Sequence, residues 1–247
     1  MMQWSDDGIV LATRAHGERA LVVQLLTREH GRHAGLLRGG QSPKTRAHWQ
    51  IGNRLSVTWR ARLAEHLGFL TGEVSDAYAA KLLDDPLRLG ALASAAALAA
   101  AALPEREPHP RAYRLLLHLI EALGADDRWA IAYVEWEIAL LEELGFGLDL
   151  SSCAATGATD NLVYVSPRSG QAVSATAGAP YREKLLPLPA FLCGQIARPE
   201  AQDMLDGLRL AGFFLEQRVF APHQAKLPAA RSRYVDALTK VLAISAS

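Results

Sequence analysis

A dense run of basic side chains at residues 28–62 is the part of the chain with the clearest potential for chemistry. It holds eight Lys and Arg residues and one acid, Glu29, so its net charge is +7 in a chain of zero formal net charge. Cations at this density neutralise phosphates, and each such contact releases condensed counterions. The run therefore predicts a nucleic-acid backbone as its partner. The predicted contacts are Arg28, Arg32, Arg38, Lys44, Arg46, Arg54, Arg60 and Arg62.

Two tryptophans fall within this basic run and are given different roles. Trp49 lies in a stretch without strand alternation, so we expect it to be exposed and to stack on a base. Trp59 alternates with Leu55 and Val57, and this period of two indicates a strand whose apolar face enters the core. No pattern here suggests reading of base edges, so weak sequence preference is expected.

The first 78 residues read as short strands separated by tight turns. The predicted strands are residues 8–15, 20–27, 31–38, 55–60 and 67–74. Gly39 to Pro43 is predicted to break the third strand, and residues 40–45 are predicted to be a flexible basic loop. Five short strands favour a small closed barrel, and an OB-fold is the most economical choice. The barrel domain is assigned to residues 1–78.

Residues 79–150 and 188–240 change to helical periodicity and form the predicted helical domain. Asp85-Pro86 begins one helix, because proline is favoured in the first turn. Further helices are predicted at 111–123, from Asp126-Asp127 to about Leu144, at 189–197 and at 199–219; the last dozen residues carry no strong signal. Residues 151–187 form a loop-rich insert with a hairpin of 162–165 and 171–173. The fold class is thus α+β and multidomain.

Charge is segregated along the chain, with +4 over residues 1–75, −7 over 76–149 and +3 over 150–247. This distribution suggests separate modules with separate partners. Two cysteines, Cys153 and Cys193, make no disulfide framework, which fits a reducing compartment. The N-terminal residues resemble no secretory signal, and the apolar run 91–103 is too short to span a bilayer. A cytoplasmic protein without membrane contact is expected.

Enzyme signatures are weak. Residues 40–45 lack the glycine spacing of a phosphate-binding loop, and no nucleophile elbow is present. His30 and His33 have no third ligand nearby and are interpreted as surface histidines rather than a metal site. A solvated helix face is the simplest interpretation of four carboxylates, those of Glu135, Glu137, Glu142 and Glu143.

Several motifs, in this order, resemble the RecO family of bacterial recombination mediators. They begin with Gly-Ile-Val-Leu at 8–11, Gly-Glu at 17–18, Leu-Thr-Arg-Glu-His-Gly at 26–31 and Arg-Gly-Gly-Gln-Ser at 38–42. A helix, residues 136–147, is followed closely by Cys153, and Arg-Ser-Arg stands at 231–233. The resemblance covers nearly the whole chain.

The resemblance implies an N-terminal OB-fold, a helical domain and a small zinc-ribbon-like insert. It also implies a non-enzymatic protein that binds single- and double-stranded DNA, anneals complementary strands, and works with RecR to load RecA onto strands coated by single-strand-binding protein. The implied location is the bacterial nucleoid.

The insert departs from the family pattern of two Cys-x-x-Cys pairs. It reads Cys-Ala-Ala-Thr at 153–156 and Ser-Ala-Thr-Ala at 174–177. A single thiol cannot hold a structural zinc, so we expect no metal and no cofactor. The resemblance further implies a groove for the acidic tail of single-strand-binding protein, and Arg111 and Arg114 are the expected cations for it.

Two alternatives remain open at this point. An RNA-binding OB-fold protein would show the same barrel and charge. A small-molecule enzyme would need a site assembled from dispersed residues, with a general base among His16, His30, His33, His48 and His66.

Overall fold

The computed structural model describes residues 2–125, 127–194 and 199–245. The chain divides into two compact units. The first comprises Met1–Asp127 and Pro228–Tyr234, and the second comprises Arg128–Leu227 and Val235–Ser247. The boundaries proposed for a barrel domain, a helical domain and an insert remain predictions.

A closed five-stranded barrel forms the N-terminal part of the first unit. The strands follow the order β1-β2-β3-β5-β4, and β4 pairs back onto β1. Every pairing is antiparallel except β3 with β5, which is parallel. The barrel closes through one residue pair, Leu36 of β3 opposite Phe69 of β5, so every strand has a neighbour on both sides. The strand bounds are β1 Met2–His16, β2 Ala20–Thr27, β3 Gly31–Leu37, β4 Arg54–Ala61 and β5 Phe69–Asp76.

The barrel interior is built by alternation along the strands. In β4 every second residue from Leu55 to Ala61 is buried, while Ser56 and Arg60 are exposed, as the period of two predicted. The core cluster comprises Val10, Leu21, Val23, Leu25, Leu37, Trp49, Leu55, Val57, Trp59, Ala61 and Leu70.

Strand β1 begins six residues earlier than predicted. Its first half pairs with β4, from Met2 opposite Ala61 to Ile9 opposite Arg54, and its second half pairs with β2. The polar stretch Gln3 to Asp7 has little intrinsic strand preference. Pairing with β4 stabilises this stretch as a strand. This is a tertiary effect, which local strand propensity does not predict.

The flexible loop predicted for residues 40–45 is wrong in its second half, because residues Pro43–His48 form a short helix, α1. The Ser42 side chain accepts a hydrogen bond from the Thr45 N–H at 3.2 Å and so caps the helix. Pro43 occupies the first turn, where it costs no hydrogen bond. Ser-Pro was interpreted as a break, but here it starts a helix.

The remaining helices of the first unit include one whose start was predicted correctly. Asp85 accepts hydrogen bonds from the Leu87 and Arg88 N–H groups at 3.1 and 3.0 Å, so it caps the helix that Pro86 begins. The bounds are α2 Tyr78–Lys81, α3 Pro86–Ala102 and α4 Pro110–Ala125.

The second unit combines helices with a three-stranded sheet in the order β7-β6-β8. The predicted hairpin is confirmed, since β6 and β7 pair antiparallel, and β8 was not foreseen. Phe214 is followed by a π-helical stretch, Leu215–Phe220, and short 3-10 turns cover Ala179–Lys184, Ala190–Cys193 and Ala221–His223. The bounds are α5 Trp129–Glu143, β6 Leu162–Val165, β7 Ala172–Ser174, α6 Ala175–Gly178, β8 Leu186–Pro187, α7 Ala201–Phe214 and α8 Ala229–Ser245.

Three expectations for the helices need correction. Glu137 is fully buried and accepts a hydrogen bond from the Tyr133 hydroxyl at 2.9 Å, so it is no part of a solvated face. Helix α8, which begins at Ala229, was missed because its sequence carries little apolar periodicity. The predicted helix 189–197 is a 3-10 turn, Ala190–Cys193, where it is described; residues 195–198 lie outside the described part, as does Asp126.

Across the described ranges, no helix combines the length and apolarity needed to cross a bilayer.

Candidate nucleic-acid interface

The eight basic residues of the run 28–62 separate into two groups. Three are engaged by other protein groups. Arg54 Nη2 lies 2.7 Å from an Asp76 carboxylate oxygen, and Arg32 Nε donates to the Leu103 carbonyl at 2.7 Å. Arg28 lies 3.7 and 3.2 Å from the carboxylates of Asp7 and Glu29. Arg28 and Arg54 are paired with carboxylates and Arg32 is held by a backbone carbonyl, so these three are less available to a phosphate than the sequence suggested.

The other five cations are exposed, and none forms an ion pair with an acid among the described residues. The acids of the helices in the first unit, α2 to α4, therefore form no ion pair with them in the described part of the chain. They are Arg38, Lys44, Arg46, Arg60 and Arg62.

Strand register brings part of this group together on the outside of the barrel. Gln3, Arg60 and Phe69 stand opposite one another on the neighbouring strands β1, β4 and β5. Directly opposite residues share a face of the sheet, so these three side chains lie side by side. The Arg38 guanidinium reaches the same place from the end of β3, with its carbon 4.3 Å from the centre of the Phe69 ring.

We call this surface the β4–β5 patch and define it by Arg38, Arg60, Arg62, His66 and Phe69. An open cleft of about 510 Å³ lies on it, lined by Arg60, Arg62, His66 and Phe69 together with Ala61 and Gly68. Phe69 is 43% exposed, which is unusual for so large an apolar ring. Cations around an exposed ring can contact a phosphate chain and stack on a base.

The stacking role expected of Trp49 is wrong. Trp49 is only 3% exposed and packs in the barrel core, because α1 and the following turn fold its ring inward. Trp59 is 2% exposed, so its predicted core position is confirmed. Phe69, which sequence reasoning missed, supplies the exposed ring of the patch. It follows Arg62 by seven residues, and its place opposite Arg60 arises from the pairing of β4 with β5, so no local sequence signal could have found it.

Lys44 and Arg46 lie on α1, apart in sequence and element from the strands of the patch. Arg46 lines a second open cleft of about 540 Å³, with Leu21, Trp49, Leu89 and Leu92 among its apolar walls. Arg111 and Arg114 are exposed on α4 and line neither of these clefts.

The histidines do not converge on the patch. His33 is 6% exposed, contrary to the expectation of a surface residue, and neither ring nitrogen has a hydrogen-bond partner. Its ring meets Trp4 and Trp59 edge-on, and burial together with the nearby Arg106 lowers its pKa to about 4. His30 Nδ1 lies 2.9 Å from an Asp6 carboxylate oxygen. Of the five histidines considered for a general base, His66 lines the patch cleft.

The insert has one thiol where a zinc site would need several ligands. Cys153 Sγ accepts a hydrogen bond from the Ser174 N–H at 3.2 Å, and the side chains of Ser174 and Thr156 lower the pKa of this thiol to about 6. No group of three or more potential metal ligands occurs in the described ranges. One thiol and two hydroxyls do not fit a structural zinc.

A closed barrel whose outer face carries unpaired arginines and an exposed ring is typical of the nucleic-acid-binding class of small β-barrels. Comparison with known proteins narrows this class. Residues 1–78 match the family model "Recombination protein O N terminal", and residues 83–227 match "Recombination protein O C terminal".

Three relatives agree over nearly their whole length. "DNA repair protein RecO" of Rhodospirillum centenum is 56% identical over 241 residues, which cover 97% of this chain and 96% of that protein. The proteins of the same name from Rhodospirillum rubrum and Phenylobacterium zucineum are 51% and 49% identical, each over 97% of this chain and 98% of the relative. The chain belongs to the RecO family of DNA repair and recombination proteins, as its motifs predicted.

Proposed function

We propose that this protein is a DNA-binding recombination mediator whose barrel is an OB-fold. The observation that carries the proposal is the β4–β5 patch, where three arginines without acidic partners among the described residues surround an exposed phenylalanine. The closed strand order with one parallel pairing, β3 with β5, supports the OB-fold assignment.

The patch would hold single-stranded DNA through its backbone. Arg38, Arg60 and Arg62 would contact successive phosphates, and Phe69 would stack on one base. Stacking accepts any base, since every base has a π face, so binding would show little sequence preference. The cations of α1, Lys44 and Arg46, would extend the contact to a second stretch of DNA, single- or double-stranded.

Annealing follows from the same chemistry. Two complementary strands repel each other through their phosphates, and cations that neutralise one strand lower this repulsion. The bases stay available for pairing because the protein does not read their edges. No chemical step on DNA is required of the protein.

The partner proteins that we propose are inferred from membership of the RecO family. We infer that the protein acts with RecR to load RecA onto strands covered by single-strand-binding protein. Arg111 and Arg114 remain the proposed contacts for the acidic tail of that protein. A DNA partner would place the protein at the nucleoid, in the bacterial cytoplasm.

Reversing the three patch charges tests the proposal. Arg38→Glu, Arg60→Glu and Arg62→Glu in one variant should abolish both binding to a short single strand and strand annealing at physiological salt. A control variant that reverses Arg209, Lys226 and Lys240, three exposed cations of the second unit, has the same net charge and should keep most of both activities. Equal losses in both variants would mean that overall charge, and not the patch, governs binding.

An RNA-binding protein is the second candidate, since cations and an exposed ring would hold the backbone and a base of RNA as well as those of DNA. Competition between DNA and RNA oligonucleotides of equal length separates the two. Preference for RNA by tenfold or more would replace the mediator proposal.

A further inference from the structure

The connection between α3 and α4 lies against the barrel and not free in solvent. We call residues 103–109 the strap. The Arg106 N–H donates to the Arg32 carbonyl at 2.8 Å, and Arg32 Nε donates back to the Leu103 carbonyl at 2.7 Å. Arg32 also forms an isolated parallel bridge with Glu105. The strap is therefore fixed along the edge of β3 at Arg32, opposite the edge that pairs with β2.

Gly31 shows how closely the strap approaches. A Cβ atom added to Gly31 would stand 1.8 Å from the Glu107 carbonyl oxygen, and the φ of Gly31 is +67°. Any side chain at this position would push the strap off the barrel.

Arg106 itself has a left-handed backbone, with φ of 62°. This conformation is unfavourable for a residue with a side chain and persists where several contacts hold it. Here the backbone N–H bonds to β3, and the guanidinium Nη2 donates to the carbonyls of Glu65 and His66 at 3.0 and 3.1 Å. The strained residue thus joins the strap to the β4–β5 loop.

Four consecutive carbonyls of that loop, residues 65–68, accept hydrogen bonds. Arg106 bonds to the first two, Trp59 Nε1 to Leu67 at 3.0 Å, and the Leu36 N–H to Gly68 at 2.9 Å. Phe69 is the next residue. With its carbonyls bonded to the protein, the loop presents its side chains outward, where Arg62, His66 and Phe69 line the patch cleft.

We propose that Arg106 is a positioning residue of the DNA-binding surface: it holds the β4–β5 loop in the shape that binds DNA, from the back, without contacting DNA. The inference rests on the proposed function. A loop that is already ordered loses less conformational entropy when DNA binds, so affinity rises without any new contact.

Removing Arg106 should therefore change the affinity for DNA and its salt dependence in a different way from removing a residue that contacts a phosphate. Arg106→Ala should weaken binding of a short single strand by about three- to tenfold, the effect of disordering a few side chains and a short loop. The dependence of log affinity on log salt should stay at the wild-type slope, because no phosphate contact is removed. In Arg62→Ala, affinity and the steepness of this slope should both fall.

Two further readouts separate positioning from general stability. Amide hydrogen exchange of residues 66–69 should become faster in Arg106→Ala, while exchange in β1 and β2 stays unchanged. Arg106→Lys keeps the charge and can reach one of the two carbonyls, so it should restore part of the affinity and should fold even if Arg106→Ala does not. Lys240→Ala, the loss of an exposed cation in the second unit, should change none of these readouts.

Two results would overturn the inference: wild-type affinity in Arg106→Ala, or a loss of salt slope equal to that of Arg62→Ala, which would make Arg106 a direct phosphate contact. Both comparisons require that the DNA affinity of the wild-type protein falls steeply as salt rises. A wild-type protein that does not bind DNA would reject the proposed function and this inference together.

Discussion

Two aromatic residues show how burial separates structural from functional roles. Trp49 lies within the basic run and Phe69 lies seven residues after its end, yet the first is 3% exposed and the second 43% exposed. Whether the ring of a residue between two strands points into the core depends on its packing against strands that are distant in the sequence. A local sequence pattern gives no information on that packing. For Trp59 the sequence was sufficient to predict burial, because the alternation of apolar and polar residues along a strand indicates which face is buried.

Alanine substitutions should therefore have opposite consequences at these two positions. Trp49→Ala leaves a cavity in the barrel core and should lower the free energy of unfolding by about 3–5 kcal/mol. Phe69→Ala should leave stability nearly unchanged but weaken single-strand binding by about 1–3 kcal/mol, the value of one base stack. Chemical denaturation and fluorescence anisotropy measure the two quantities. Phe69→Tyr, which keeps the ring, should bind like wild type, and weak binding by this control would argue against stacking.

His33 should make the protein sensitive to acid. Its pKa is about 4 in the folded protein and about 6.5 in an unfolded chain. As pH falls below 6.5 the unfolded chain takes up a proton first, so the free energy of unfolding decreases until pH 4, by roughly 3 kcal/mol in total. Above pH 6.5 the histidine has no such effect.

His33→Phe should remove this part of the pH dependence. An apolar ring suits a site where neither nitrogen has a partner, so stability at pH 7.5 should stay the same or rise. Denaturation curves at pH 7.5 and 5 measure the difference. The same loss of stability between these pH values in wild type and variant would exclude His33 as the cause.

At the scale of elements, the strands were more accessible to sequence reasoning than the connections. Alternation and glycine turns located all five barrel strands, and Asp85-Pro86 located the start of α3. The first half of β1 and helix α1 were missed or misread, since a pairing partner determines the first and a cap the second. Helix α8 was missed because its sequence has little apolar periodicity. The exposed or buried state of individual residues, as at Glu137, likewise needed the full structure.

The insert should fold without metal. Hydrogen bonds to Cys153 from Ser174 and Thr156 take the place that several thiolates would hold around a zinc ion. Purified protein should contain far less than one zinc per chain, and a chelator should leave the thermal midpoint unchanged. One tightly bound zinc per chain, with a lower midpoint after its removal, would contradict this account.

For the whole molecule, segregated charge was the most useful sequence signal, and its interpretation changed with the structure. Of the eight basic residues in 28–62, five are exposed cations that form no ion pair with a described acid, because Arg28, Arg32 and Arg54 are engaged by other protein groups. Three of the five surround one ring. The number of basic residues could be read from the sequence, but their grouping depends on strand register across β1, β4 and β5.

The salt dependence of DNA binding tests the central claim most directly. For single strands, log affinity falls by about 0.7 per phosphate contact for each tenfold rise in salt. A variant with Arg38, Arg60 and Arg62 all changed to Ala should therefore lose about 2 from the wild-type slope, along with affinity. If the variant and wild type give the same slope, the β4–β5 patch does not bind the DNA backbone.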